Sequence, residues 1–278
     1  YTDENKKNTA SRYLLIDSGI AVPEQYKELQ TIHVPIKKII CLSSIYVAYL
    51  DKLQLTGHLI GVDDFMYINN TSVIEMIKQN KVAEVGGNTT MNLEKITSLS
   101  PDLVFTYGEP GLTHLKINEL GIPVAVVFDH LENSPLGRAE WIKFMAAFFN
   151  KDEYADSVFN VLKKKYGELS VMGRNAKNKP SVFTEIKYGD VWYVPGGKSY
   201  MSQLLGDAGA DYIWKNDDHT GSLQLNFEQV YAKAHDADHW LNVHTWNSIN
   251  DALKDDKRYK EFKAVKEGDI YNNNAKPF

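Results

Sequence analysis

Three short segments contain residue types that occur in catalytic or metal-binding sites. Gly196-Gly-Lys-Ser199 precedes a predicted helix, as a phosphate-binding loop does, but Trp192 stands where that motif requires its first glycine. His235 and His239 have the i, i+4 spacing of paired metal ligands, yet no glutamate occupies the position that a metalloprotease requires. No Gly-x-Ser-x-Gly elbow is present, and the single cysteine, Cys41, lies in an apolar run typical of a buried strand. We therefore expect no covalent chemistry and predict that the chain is not an enzyme.

Composition narrows the class of protein further. The 278 residues are 43% hydrophobic and 24% charged, which is typical of a globular protein with a substantial core. A net charge of −5 argues against nucleic-acid binding, and no apolar run approaches the ~20 residues of a membrane-spanning helix. One cysteine excludes an intramolecular disulfide and any multi-cysteine metal cluster.

The order of the predicted elements indicates an α/β protein. Strands alternate with helices of about ten residues, which is the pattern of crossover units in a mostly parallel sheet. The first half predicts strands at Tyr13–Asp17, Thr31–Val34, Lys38–Leu42, Leu59–Val62, Leu103–Tyr107 and Val124–Phe128, and helices at Ile45–Leu53, Ser72–Gln79, Asn92–Leu99 and Leu112–Leu120. The second half predicts strands at Val182–Ile186, Val191–Val194 and Trp240–Val243, and helices at Ser199–Ala208, Phe227–Ala234 and Ala252–Phe262.

Between these halves, from Pro135 to Met172, the alternation stops and apolar residues recur at helical spacing. We therefore predict two Rossmann-like lobes with mostly parallel sheets, joined by one long α-helix. The expected boundaries are an N-terminal extension over residues 1–34, an N-terminal lobe over 35–134, a helical connector over 135–172 and a C-terminal lobe over 173–278.

The two halves also repeat one local pattern. Asn92-Leu-Glu94 opens a short helix that leads through Pro101-Asp102 into a strand, and Asn226-Phe-Glu228 does the same through Ala237-Asp238. Asparagine is a favoured N-cap, and the helix dipole favours a glutamate in the first turn. Two independently capped helices would explain each copy, but not why each copy lies midway through its half.

A series of short motifs runs through both halves. The first half contains Ile39-Ile-Cys-Leu-Ser-Ser44, Leu59-Ile-Gly-Val62, Val85-Gly-Gly87, Asn92-Leu-Glu94, Pro101-Asp-Leu-Val104 and Leu120-Gly-Ile-Pro-Val124. The second half contains Trp192-Tyr-Val-Pro-Gly-Gly-Lys-Ser199, Leu204-Leu-Gly-Asp-Ala-Gly-Ala210, Asn226-Phe-Glu228 and Gly268-Asp-Ile-Tyr271. In order and spacing, from about Pro35 to Tyr271, they resemble the periplasmic binding proteins through which ABC importers take up iron–siderophores, haem and cobalamin.

The resemblance implies roles as well as a fold. In that family a rigid helix joins two lobes that bind a ligand between them, and one acidic residue on each lobe docks onto arginines of the membrane permease. Glu94 and Glu228 match these acidic residues. We accordingly expect a periplasmic monomer whose partners are a small metal chelate and a dimeric ABC permease. The sequence does not decide whether a lipid anchor is attached to the native amino terminus.

Ligands of open α/β sheets bind outside the carboxyl ends of the strands, so the loops there supply the predicted ligand-binding residues. These are Ser44, Tyr67, Asn88, Tyr107, Gly108 and Glu109 in the first lobe, and Trp192, Tyr193, Lys198, Ser222, His244 and Trp246 in the second. Trp192, Tyr193 and Trp246 are the strongest candidates, because glycine, proline or polar neighbours place them at strand ends. Aromatic walls with few polar contacts suit a bulky chelate or macrocycle.

The charge of these loops indicates which class of ligand they would bind. They contain no arginine and one obvious cation, Lys198, which favours a neutral or weakly charged hydroxamate chelate or corrinoid over an anionic catecholate. We predict a solute-binding protein that captures a metal chelate, foremost a ferric siderophore, without an intrinsic cofactor or a protein-bound metal. A cobalamin or haem carrier, a carrier of bare Zn²⁺ or Mn²⁺ that uses His219 and His244, and an enzyme that uses the Gly-Gly-Lys-Ser turn are the alternatives.

Overall fold

The computed structural model describes residues 12–87, 90–107, 113–243 and 246–272. The chain forms two compact units. Unit 1 contains the chain up to Leu131 together with Ala139–Asn160, and unit 2 contains Glu132–Arg138 together with the chain from Val161 onward. Each unit contains a parallel sheet packed with helices, and the sheets are mostly parallel, which confirms the predicted fold class.

Unit 1 is built around a five-stranded parallel sheet. Its elements are β1 (Tyr13–Asp17), β2 (Gln30–Val34), β3 (Ile39–Cys41), α1 (Ser44–Lys52), β4 (Leu59–Val62), α2 (Thr71–Lys78), β5 (Ala83–Glu84), α3 (Leu93–Leu99), β6 (Leu103–Tyr107), α4 (Thr113–Glu119) and β7 (Val124–Val127). The strand order is β5-β4-β3-β6-β7. Successive residues of β3 enter two different core clusters: Ile39 and Cys41 one, Ile40 the other. The sheet is therefore covered on both faces, as its apolar strands require.

The strands β1 and β2 form a separate parallel pair that is attached to this unit. The Tyr13 hydroxyl accepts a hydrogen bond from the Val126 backbone N–H at 2.9 Å, and the Gln30 side-chain amide donates to the Val124 carbonyl at 3.1 Å. Ile32 is 1% exposed within the core of unit 1. The first two strands therefore contribute packing and hydrogen bonds to unit 1.

Two helices follow β7: α5 (Pro135–Ala147) and α6 (Asp152–Arg174). Residue Asn150, between them, has a left-handed backbone with φ of 53°. Helix α6 has 23 residues and is therefore about 35 Å long. It begins in unit 1 and ends in unit 2.

Unit 2 contains a parallel sheet and an antiparallel sheet. Its elements are β8 (Ser181–Thr184), β9 (Lys187–Tyr188), β10 (Val191–Pro195), α7 (Tyr200–Asp207), β11 (Asp211–Tyr212), β12 (Ser222–Leu225), α8 (Phe227–Ala234), β13 (His239–Leu241), α9 (Ile249–Asp255), α10 (Lys263–Glu267) and β14 (Ile270–Tyr271). The parallel sheet has the order β11-β8-β13-β14, and the antiparallel sheet has the order β12-β10-β9. Sequence patterns predicted β10 but neither of its antiparallel partners.

The predicted helix Ala252–Phe262 is interrupted. Asp256 has an extended backbone, with φ of −150° and ψ of 116°, and its side chain accepts from the Arg258 N–H at 3.0 Å. Asp256 thus ends α9 and caps the short 3-10 turn Lys257–Glu261, after which α10 starts a new helix. Among the described residues, no helix combines the length and the apolar composition needed to cross a bilayer.

Candidate functional site

In both units the parallel strands end in loops that carry polar and aromatic side chains. In unit 1, the Ser43 hydroxyl accepts from the Ile45 N–H and caps α1, and the predicted site residue Ser44 is the half-buried first residue of that helix. After β4, the Asp64 carboxylate accepts from the Met66 N–H at 2.7 Å. That turn leaves the Tyr67 side chain 56% exposed, so a predicted aromatic is available to a ligand.

Several carboxylates lie at the edge of unit 1 where the strands of its parallel sheet have their carboxyl ends. Asp63 follows β4 directly, and its Oδ1 is buried with no hydrogen-bond partner among the described residues. Burial raises the pKa of Asp63, and the nearby charges of Asp64 and Glu84 raise it further. Asp129, beyond β7, is 2% exposed, and the Tyr49 hydroxyl lies 3.3 Å from its Oδ2. The four carboxyl groups make this edge of unit 1 acidic.

Tyr107, another predicted site residue, is the half-buried last residue of β6. Its strand partner is Val127, so it lies close to the acidic edge. Burial, followed by the charges of Asp129 and of nearby groups that include Tyr107, raises the pKa of Tyr46. Four further predicted residues, Asn88, Gly108, Glu109 and His244, lie outside the described residues.

In unit 2, two neighbouring strands end in residues with left-handed backbones. Glu185 follows β8 with φ of 67°, and Asn242 follows β13 with φ of 56°. The Asn242 side-chain amide donates to Glu185 Oε1 at 2.6 Å, and the Glu185 carbonyl accepts from the indole N–H of Trp240 at 2.8 Å. Strained backbone of this kind persists only where the surroundings over-determine it, and it is frequent at functional sites. Sequence analysis missed this pair, since glutamate gives no signal of a positive φ and the two residues are 57 positions apart in the chain.

Trp192, predicted to contact a ligand, is a core residue. It is 0% exposed, its ring centroid lies 5.4 Å from that of Trp240, and its indole N–H donates to the Thr184 carbonyl at 3.2 Å. Trp246 is 7% exposed and packs on Trp240 and Tyr259. The expectation that Trp192 offers a ring face to a ligand is therefore corrected, because the alternation along β10 turns it inward. The same alternation turns the next predicted residue, Tyr193, outward, with 44% exposure.

Trp246 also borders a cavity of about 330 Å³ near the carboxyl ends of β13 and β14. Its walls mix apolar side chains with amide and hydroxyl groups, and are formed by Val243, Trp246, Asn247, Ser248, Ile249, Gly268, Ile270 and Asn272. The Asn272 amide donates to the Trp246 carbonyl at 3.3 Å across this region. A concave surface with this mixed lining suits part of a ligand.

The Gly-Gly-Lys-Ser turn has a structural explanation. A Cβ on Gly196 would lie 2.3 Å from the His219 carbonyl oxygen, and one on Gly197 would lie 2.3 Å from that of Asp217. The Ser199 hydroxyl accepts from the Ser202 N–H and caps α7. Both glycines therefore allow close backbone packing, and the turn does not need a phosphate to account for them.

The remaining polar candidates of unit 2 lie at the surface. Lys198 forms an ion pair of 2.7 Å with Asp218. Ser222 is exposed, but it is the first residue of strand β12 and does not lie in a loop as predicted. His219 contacts Asp217 at 2.9 Å. Of the i, i+4 pair, His235 ends α8 and His239 begins β13, so the two do not share a helix face.

Glu94 and Glu228 occupy matching positions in the two units. Asn92 caps α3 by accepting from the Lys95 N–H, and Asn226 caps α8 by accepting from the Gln229 N–H, both at 2.9 Å. Each glutamate lies in the first turn of its helix with an exposed side chain.

The match extends to the strands that follow these helices. Asp102 Oδ2 accepts from the backbone N–H groups of Lys37 and Lys38, just before β3. Asp238 Oδ2 accepts from the backbone N–H and the hydroxyl of Ser181, at the start of β8. Each aspartate thus joins the strand that it precedes to the neighbouring strand of its sheet, and the repeat seen in sequence is also a repeat in structure.

The chain is similar to known proteins along most of its length. The family model described as "Periplasmic binding protein" matches residues 39–277. "Uncharacterized lipoprotein MJ0878" of Methanocaldococcus jannaschii is 31% identical, over 95% of this chain and 67% of that protein.

Solved structures share the fold at low identity. A possible iron-binding (periplasmic solute-binding) protein of Staphylococcus epidermidis is 17% identical, with a TM-score of 0.68 over 86% of this chain and 90% of its own. An ABC-type Fe³⁺-hydroxamate transport system structure from Saccharomonospora viridis is 19% identical, with a TM-score of 0.65 over 86% and 85% of the two chains. The family match identifies a substrate-binding protein and not an enzyme. With two structurally repeated units and a family match over residues 39–277, the chain belongs to the periplasmic binding protein family.

Proposed function

We propose that this chain captures a metal chelate, foremost a ferric siderophore, and delivers it to an ABC permease. The observation that carries the proposal is the family match over residues 39–277. The lipoprotein name of a relative at 31% identity supports a periplasmic chain that a lipid anchor tethers to the membrane. Exposed Glu94 and Glu228, in matching first turns, support docking onto arginines of the permease.

The charge of unit 1 indicates which class of chelate the chain binds. Asp63, Asp64, Glu84 and Asp129 lie at the carboxyl edge of its sheet, where ligands of open α/β sheets bind. A ferric tris-catecholate carries several negative charges and would be repelled there, whereas a ferric trihydroxamate or a corrinoid would not. We therefore propose a neutral or weakly charged chelate, with haem and cobalamin as the alternative cargoes.

Direct titration tests this proposal. The protein is mixed with a ferric trihydroxamate, a ferric tris-catecholate, haem and cyanocobalamin, and binding is followed by tryptophan fluorescence and native mass. We expect the trihydroxamate to bind at least about tenfold more tightly than the catecholate, a difference of about 1.4 kcal/mol. Tight catecholate binding would contradict the charge argument. A mass gain of one bare ion would instead indicate a bare-metal carrier.

A pair of matched variants tests whether Tyr193 contacts the cargo. Tyr193→Ala removes an exposed ring at β10, and Tyr26→Ala removes a ring of similar exposure, 41% against 44%, in the turn before β2. We expect only Tyr193→Ala to weaken cargo binding. Equal affinities for the two variants would remove Tyr193 from the site.

A further inference from the structure

The two glutamates proposed to dock on the permease have different surroundings. Glu228 Oε1 lies 3.2 Å from Arg258 Nη1, so this carboxylate already has a cation from its own chain. For Glu94, no ion pair or hydrogen bond is formed among the described residues. The helices match, but the charges that a partner would meet do not.

Arg258 is held firmly in place. Its Nε and Nη2 donate to both oxygens of Asp256, at distances of 2.7 to 3.2 Å. Its guanidinium also lies over the Phe227 ring, 3.9 Å from the centroid. Asp256 is itself 10% exposed and is paired with Lys187 at 2.8 Å. A guanidinium with a bidentate partner and a ring beneath it cannot easily swing away from Glu228.

Glu94 borders an apolar hollow instead. The hollow has a volume of about 410 Å³ and is lined by Leu93, Glu94, Thr97, Ser98 and Leu120. Leu120 is 46% exposed. A carboxylate beside exposed apolar surface suits a partner that presents a cation next to an apolar side chain. The cation pairs with the carboxylate while the apolar side chain fills the hollow.

We propose that the docking surface is asymmetric: Glu94 and its hollow take a cationic and apolar element of the permease, whereas the ion pair with Arg258 weakens the attraction of Glu228 for an equivalent cation. The inference rests on the proposed function, since it assumes permease docking. A partner arginine that approaches Glu228 meets the like charge of Arg258, so this half attracts cations less. Arg258 therefore competes with an arginine of the permease for the Glu228 carboxylate.

Binding to the cognate ABC permease, reconstituted in lipid nanodiscs, tests the asymmetry. Glu94→Gln is expected to raise the dissociation constant at least about tenfold, as the loss of a close interfacial charge pair does. Glu228→Gln should change it less than about threefold, within the range of exposed pairs. Arg258→Gln should tighten binding by about two- to fivefold. The double variant Arg258→Gln/Glu228→Gln should lose that gain.

Lys254→Gln is the matched control, because it removes an exposed cation whose single ion-pair partner among the described residues is Asp251. Equal losses for Glu94→Gln and Glu228→Gln would overturn the asymmetry, as would an Arg258→Gln variant that folds and does not bind more tightly. If Arg258→Gln fails to fold, the comparison of the two glutamate variants still decides. Absence of binding by the unmodified chain would overturn permease docking itself, whereas normal binding with equal glutamates would overturn only this inference.

Discussion

Asn242 and Glu185 join the ends of two neighbouring strands through a hydrogen bond of 2.6 Å, and both have left-handed backbones. Glycine adopts this backbone at no steric cost, whereas other L-residues pay about 1–2 kcal/mol. The hydrogen bonds to Asn242 and Trp240 hold Glu185 in this conformation against that cost. Its carboxylate, fixed by Asn242 at the carboxyl edge of unit 2, is a candidate contact for cargo.

Glycine and alanine variants of Glu185 separate strain from side-chain function. Both Glu185→Gly and Glu185→Ala lose the bond to Asn242, but only the glycine variant relieves the backbone. We expect the glycine variant to have a free energy of unfolding about 1 kcal/mol higher than that of the alanine variant, measured by urea denaturation. Equal stabilities would show that no strain is stored at this residue. If the carboxylate contacts cargo, both variants should bind it more weakly than the unmodified chain.

Asp63 is expected to cost stability at neutral pH. Its folded-state pKa is raised, so its ionised form is penalised above the unfolded value of about 3.9. Asp63→Asn should therefore unfold at a higher temperature than the unmodified chain at pH 7, and the difference should vanish below about pH 4. Thermal melts at both pH values measure this. An Asp63→Asn variant less stable than the unmodified chain at pH 7 would contradict the prediction.

Asp238 should contribute to acid unfolding. Its pKa is held well below its usual range, first by a hydrogen bond from Lys263 and then by bonds from Ser181. The stabilisation is fully present above the unfolded pKa of about 3.9 and is lost as the pH falls below it. We expect Asp238→Asn to be less stable than the unmodified chain at pH 7, with the gap closing as the pH falls from 4 to about 2. A gap that is constant with pH, measured by thermal melts, would remove this role.

Gly196 and Gly197 should be required for folding and not for nucleotide binding. Alanine at Gly196 places its Cβ within 2.6 Å of the Gly221 carbonyl oxygen as well as against His219, and we expect a loss of at least about 2 kcal/mol. Gly206→Ala in α7 is the control, because its Cβ has no neighbour within 4 Å and helical alanine is favoured by up to about 1 kcal/mol. Urea unfolding compares them. A Gly196→Ala variant as stable as Gly206→Ala would contradict the packing explanation.

Local pattern predicted several elements with their observed bounds, such as strand Tyr13–Asp17 and helix Phe227–Ala234. Residue spacing and capping asparagines are local properties, and they survive in the folded chain. The antiparallel partners of β10 were missed because β9 has two residues, and because the alternating Ser222–Leu225 looked like a loop. Pairing with β10 gives both segments their structure, β9 in an adjacent hairpin and β12 from farther along the chain.

The sequence by itself determined the alternation of strands and helices, the repeated Asn-apolar-Glu segments and the family, since these depend on the types and spacing of residues along the chain. Only the tertiary structure decided which aromatic rings reach solvent, that Glu185 meets Asn242, and that Arg258 neutralises Glu228 but not Glu94. The physical reason is that burial and ion pairing arise between residues far apart in the chain. Local patterns in a single sequence do not show which distant residues come into contact.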